Sequence, residues 1–238
     1  MKYQNLKMWV LILFGPPGAG KGVQAVLLSE KLNLYHLETS KLLERQIMKA
    51  SKGAFIKLGE KKYFLAKEKR LWKTGKLFSP ELVSFFLKNK IRELAKLRKS
   101  LLIEGTPRSI TDAKEIIPLL KKLYGLKNIK IIFLEINPNE TLWRNSRRRI
   151  CQLMRHSILY SSETKNLKYC PLDGSKLLRR KGLDDPKTIK IRIEEYNEKT
   201  LPLLNYFKKE KLEVKKIDGS PAPAKVFDSI LKALTGKR

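Results

Sequence analysis

The sequence predicts an α/β fold built on a central parallel sheet, and three observations carry that expectation. Short β-branched or apolar runs alternate with amphipathic segments along the chain, which is the pattern of parallel strands joined by crossover helices. The first apolar run, residues 9–14 (WVLILF), passes straight into a glycine-rich turn, residues 15–22 (GPPGAGKG). The length of 238 residues, with 42% hydrophobic content, suffices for one sizeable core and small inserts.

In chain order, strands are expected at residues 9–14, 34–37, 100–104, 129–135 and 212–217. Helices are expected to begin at Lys21, Ser40, Pro80, Thr111, Pro138, Pro186 and Ala222. The helix from Lys21 carries apolar Val23, Val26, Leu27 and Leu32. Ser79, Pro80 and Glu81 make a strong helix start: a capping serine, proline at the first position and an acid in the first turn. Two regions interrupt the alternation. Residues 39–79 read as helical and lysine-rich, broken by Gly53, Gly59 and Gly75, while residues 150–183 read as a loop-rich insert holding both cysteines, His156 and Pro171.

The spacing Gly15-x4-Gly20-Lys21 fits a phosphate-cradling loop. Gly15, Gly18 and Gly20 let the backbone curl around an anion, because glycine accepts positive φ without steric cost. The amides of the turn then point inward at a helix N-terminus, and Lys21 adds a mobile cation for the outer phosphates. A second constellation follows the strand at residues 100–104, where Glu104 and Arg108 flank Gly105, Thr106 and Pro107. Ligands of open α/β sheets collect at that edge. Arg144 and Arg148, four apart, share a helix face, and Arg192 lies on a later helix. Convergent arginines beside a phosphate loop suit phosphoryl transfer, whose transition state spreads negative charge over the moving group.

Composition narrows the partners. No apolar run approaches membrane-spanning length, and the run after Lys2 and Lys7 ends in the glycine turn without a cleavage site, so a cytoplasmic protein is expected. Two cysteines without an export signal imply a reducing compartment and no disulfide framework. The net charge of +29 suits either nucleic-acid binding or a lysine-rich surface. Lysines are spread along every helix and no aromatic-interleaved basic stripe occurs, which favours the surface reading.

Taken together, residues 15–22 with Gln24 and Ala25, residues 38–43 (ETSKLL), 74–77 (TGKL), 104–108 (EGTPR), 144–151, 183–185 (LDD), Arg192 with Tyr196, Thr200, Pro202 and Leu203, and Asp218-Gly219 resemble the adenylate kinase family of nucleoside monophosphate kinases. The resemblance spans nearly the whole chain. It implies a P-loop, three-layer αβα fold with a core at 1–38, 80–149 and 184–238, a helical insert at 39–79 that binds the nucleoside monophosphate, and a small lid at 150–183. It implies a monomer, with Mg2+ as cofactor and ATP and a monophosphate, AMP favoured, as substrates.

Residue by residue, the resemblance puts Gly15, Gly18, Ala19, Gly20, Lys21, Gly22 and Val23 around the ATP phosphates and Arg144 against its base. Lys21, Arg108, Arg148 and Arg192 would surround the transferring group, with Arg180 or Lys181 assisting from the lid hinge. Thr39, Arg45, Lys76, Leu77, Phe78, Gly105, Thr106, Arg108, Asp112 and Arg192 would form the acceptor site. Glu104 would stand near hydrated magnesium.

The departures from the family pattern concentrate on the acceptor side. Glu44 stands where the family has a phosphate-binding arginine, and adjacent Arg45 is turned about 100° around the helix. Asp112 replaces the glutamine that reads adenine; a carboxylate only accepts, which suits the N–H groups of guanine. Thr106 replaces a phenylalanine and Val23 a threonine. In the lid, Met154 replaces a zinc-binding cysteine, but Cys151, His156, Cys170 and Asp173 could form a tetrahedral zinc set. The other reading is a lid held by packing alone. For the whole molecule the alternatives are a kinase for another monophosphate (GMP, CMP or UMP) and a non-catalytic nucleotide-binding or RNA-associated protein.

Overall fold

The computed structural model of the protein describes residues 8–51, 53–74, 76–180 and 184–236. Gly75, Lys181 and Leu183, each in a motif named above, lie outside the described residues. β1 (Val10–Phe14) enters the glycine turn and α1 (Lys21–Leu32), and β2 (Tyr35–Glu38) runs directly into α2 (Thr39–Ile47). A hairpin of β3 (Phe55–Leu58) and β4 (Lys61–Phe64) follows, then α3 (Leu65–Lys73) and α4 (Pro80–Lys96). The chain returns through β5 (Leu101–Glu104), α5 (Ile110–Tyr124), β6 (Ile129–Glu135) and α6 (Pro138–Arg147). A second excursion holds β7 (Arg149–Cys151), β8 (Ser157–Ile158) and β9 (Leu177–Leu178). The last elements are α7 (Pro186–Glu195), α8 (Leu203–Lys209), β10 (Val214–Asp218) and α9 (Pro223–Thr235).

The five core strands lie side by side in the order β10-β6-β1-β5-β2, every neighbouring pair parallel. β1 is central, which explains its unbroken apolar sequence: a strand covered on both faces has no position to spare for a polar side chain. Val10, Ile12 and Phe14 pack with Leu87, Ile117 and Phe207 of α4, α5 and α8. Trp9, Leu11 and Leu13 face the opposite way, toward Leu28 of α1 and Val226 and Ile230 of α9. The sheet is thus the middle of three layers, as the sequence predicts.

The expected strands and helix starts fall within two residues of those observed, but the region 39–79 is not all helical. β3 and β4 pair antiparallel with Leu58 opposite Lys61, leaving Gly59 and Glu60 as the turn. Gly59 has φ 60°, fitting a glycine at the first turn position of a two-residue hairpin. Two of the four residues of β4 are adjacent lysines, so the alternation that marks a strand is faint there; Lys62 lies 4.8 Å over the Phe55 ring instead. Ser79 also departs from expectation. It occupies the cap position of α4, but its hydroxyl donates to the buried Glu68 carboxylate at 2.7 Å rather than capping the helix.

The insert at 150–183 is loop-rich as expected, organised by a small antiparallel sheet in the order β8-β7-β9. Among the described residues, no helix is long and apolar enough to cross a membrane.

Candidate active site

The glycine turn sits at the C-terminal end of β1, the edge at which β5 delivers Glu104 and β6 ends at Glu135. Gly18 and Gly20 have φ of 85° and 83°, the left-handed region that glycine occupies at no cost. Gly15 is required for space as well: a Cβ there would lie 2.2 Å from the Leu134 carbonyl oxygen. Ala19 is buried, and α1 begins at Lys21 with Gly22 and Val23 in its first turn. The Lys21 ammonium donates to the carbonyls of Gly15 (2.8 Å) and Pro16 (2.7 Å), closing the turn on itself. Burial and the nearby Arg108 depress its pKa to about 7, with Arg192 and Arg148 adding to the effect and Glu104 opposing it.

Arg108 is set by the turn after β5. Its Nε donates to the Gly105 carbonyl at 2.7 Å, and a Cβ on Gly105 (φ 86°) would lie 3.0 Å from its Nη2. Burial lowers its pKa, against the pull of Glu104 and Asp112. The Thr106–Pro107 peptide is cis. Thr200 donates through its hydroxyl to the Arg108 carbonyl at 2.7 Å. That contact arises because residues Tyr196–Thr200 form a π-type turn after α7, a feature that concentrates at functional sites.

Arg148 follows α6 and binds the Asp184 carboxylate through both Nε (3.3 Å) and Nη2. Arg192 on α7 lies 4.0 Å from the same carboxylate. Burial and the surrounding Arg148, Arg180 and Arg108 bring the pKa of Arg192 down to about 9. Arg180, at the end of the loop-rich insert, falls to about 10 through burial and the neighbouring Arg148. A cavity of about 60 Å³ lies among these groups, lined by Phe14, Lys21, Leu77, Arg108, Arg192 and Tyr196. Arg144 stands apart at the end of β10, where its guanidinium donates to the carbonyls of Gly219 (2.8 Å) and Ser220 (2.6 Å).

Glu104 accepts from His36 on the neighbouring strand (3.0 Å), a partner the sequence reading missed, although β2 alternation puts His36 and Glu38 on one face. The other Glu104 oxygen would lie 3.4 Å from a Cβ on Gly22, so its carboxylate borders the glycine turn. Toward α2, the buried hydroxyls of Thr39 and Thr106 find no partner among the described residues. Asp112 is buried at the start of α5, one oxygen accepting the Arg108 amide at 3.0 Å and the other without a hydrogen-bond partner among the described residues. Burial raises its pKa to about 6. Lys76 is exposed, and Leu77 and Phe78 are half-buried beside the site. Arg45 is not brought to the cluster: it lies exposed on α2, because burial of Leu43 and Ile47 fixes the rotation of that helix.

In the insert at 150–183, Cys151, His156, Cys170 and Asp173 converge with their ligand atoms within 4.8 Å of one another. Both sulfurs lie 3.5 Å from His156 Nδ1, and Asp173 Oδ2 is 3.0 Å from Cys151 Sγ. Met154, by contrast, is 60% exposed.

Comparison with known proteins agrees with this geometry. The family model described as Adenylate kinase matches residues 13–212. An adenylate kinase of Methanocella arvoryzae is 35% identical over 217 residues, covering 87% of this chain and 90% of the relative. One from Borrelia recurrentis is 34% identical over 83% of each chain, and one from Chlamydia trachomatis 31% identical over 94% of this chain and 89% of its own length. A glycine turn with its lysine, arginines gathered at the sheet edge, and matched sequence from the first strand to α8 lead to one conclusion: this chain belongs to the adenylate kinase family of phosphotransferases.

Proposed function

We propose that the protein is an adenylate kinase, transferring the terminal phosphoryl group of ATP to AMP to give two ADP. The observation that carries this reading is the gathering of buried cations, Lys21, Arg108 and Arg192, around one cavity beside the glycine turn. Lys21, Arg192 and Arg180 each have a depressed pKa to which burial and neighbouring cations contribute. A cluster so arranged gains most from a polyanion, and two nucleotides joined at a transferring phosphoryl group supply one. The glycine turn and Lys21 hold the donor phosphates, with Arg144 beside the donor base. Thr39, Thr106 and Arg108, with Leu77, Phe78 and Gly105, form the acceptor side, where the two unpartnered threonine hydroxyls await a polar ligand.

An acceptor phosphate oxygen attacks the terminal phosphorus in line as the bond to the ADP oxygen breaks. Arg148, Arg192 and Arg180 neutralise the charge on the moving group, and Arg108 holds the attacking phosphate. Residues 39–79 serve as the acceptor insert and residues 150–183 as a lid that excludes water, attached to a core of 1–38, 80–149 and 184–238. The family uses Mg2+, and the Glu104 carboxylate beside Gly22 offers the hard oxygen that hydrated magnesium takes; the ion would supply charge neutralisation at the phosphates. The set of Cys151, His156, Cys170 and Asp173 fits zinc in donor type and number, and such an ion would be structural, pinning the lid.

A second reading, GMP as acceptor, is favoured by one observation: the unpartnered, buried Asp112 oxygen, which can accept from guanine N–H groups. A coupled assay of ATP with AMP, GMP, CMP and UMP in turn decides. We expect turnover with AMP ahead of the others; preference for GMP supports the Asp112 reading, and no turnover with any of them defeats both.

A further inference from the structure

The two inserts touch through an ion pair outside the phosphate cluster. Glu44 Oε1 on α2 lies 3.5 Å from Arg155 Nη1 in the turn between β7 and β8. Glu44 belongs to the segment 39–79 and Arg155 to the segment 150–183, so the pair joins the two inserts directly. Arg180 is near enough to feel both charges.

Two observations single out Arg155. Its φ is 60°, the left-handed region where a side chain is strained and glycine is the easy choice. Strain of this kind persists where the surrounding structure holds the residue in place, and it concentrates at functional sites. The turn that carries it is also fixed at its base. The Cys151 amide donates to the His156 carbonyl, and the His156 amide donates to Cys151 Sγ, both at 3.1 Å. Arg155 therefore reaches Glu44 from an anchored loop. Its side chain keeps 44% of its exposure and that of Glu44 28%, leaving the pair reachable by solvent and able to open.

We propose that Glu44 and Arg155 are positioning residues for phosphoryl transfer: their ion pair fastens the lid onto the acceptor insert and sets Arg180 over the bound acceptor. Neither touches the reacting atoms. The inference rests on reading 39–79 and 150–183 as acceptor insert and lid. It also gives Glu44 a task at a position where a cation would otherwise serve the acceptor directly.

The test is a double-mutant cycle read by the KM for AMP, kcat and thermal midpoint. Exposed ion pairs are modest, so Glu44→Gln and Arg155→Gln should each raise KM about two- to five-fold. The double variant should be no worse than either single one, and the swap of Glu44→Arg with Arg155→Glu should recover most of the loss. Arg155→Lys should retain the pair. Arg155→Gly removes strain and pair together, so the midpoint should hold or rise while KM still increases, a split that a purely structural role would not give. High salt should erase the difference between wild type and variants.

Additive effects, or unchanged KM in both single variants, overturn the proposal. So does a lower KM with Glu44→Arg alone, which would make the position a phosphate contact. If the wild type turns over AMP and the variants fail this pattern, only the latch falls. If the wild type turns over no monophosphate, the reading of the site falls with it.

Discussion

Lys21 bonds its own loop, donating to the Gly15 and Pro16 carbonyls, and sits beside Arg108 with a pKa near neutrality. The sign of the consequence follows from the charge of the ligand. Above pH 7 the free lysine is largely neutral, whereas a triphosphate favours the ammonium form. ATP binding at pH 8.5, where the nucleotide itself is fully ionised, should therefore take up close to one proton. Calorimetry in buffers of different ionisation enthalpy measures this directly, and Lys21→Met should abolish the uptake. At this scale much of the site was legible: glycine spacing and lysine identify the loop without any structure. The partners were not. Arg148 meets Asp184 across 36 positions, and His36 meets Glu104 across 68, separations that only the fold closes.

Among the elements, legibility tracked burial. β1 is apolar at every position because it is covered on both faces, and its limits could be read to within a residue. The hairpin of β3 and β4 escaped notice because its outer positions carry lysine, and a Gly-Glu turn is a weaker signal than Asn-Gly. The glycines at 15, 18 and 20 announced a turn, but no sequence pattern announced the π-type turn that brings Thr200 to the Arg108 carbonyl. The proposed lid is the element whose integrity depends most on a few side chains, since among the described residues its buried cluster holds Cys151, Ile158 and Cys170. Metal analysis of the purified protein should find about one zinc per chain, and Cys170→Ser should lose it and lower the unfolding midpoint. Full stability and activity in protein free of zinc would leave the lid held by packing alone.

Over the whole molecule, a parallel sheet gathers loops at one edge, and two inserts interrupt the alternation of strands and helices that builds it. The insert proposed to take the acceptor follows β2 and the proposed lid follows α6, so on that reading neither nucleotide site is complete on one segment. The high net charge of +29 is spread over helices, yet the functional cations are the few that burial sets apart. The central claim is that this edge holds two nucleotides at once and passes a phosphoryl group between them in either direction. Incubating the protein with ADP and Mg2+ alone tests it most directly, since one ADP must act as donor and the other as acceptor. The account predicts ATP and AMP appearing in equal amounts, lost in Lys21→Met; ADP left unchanged, or AMP formed with free phosphate and no ATP, would contradict it.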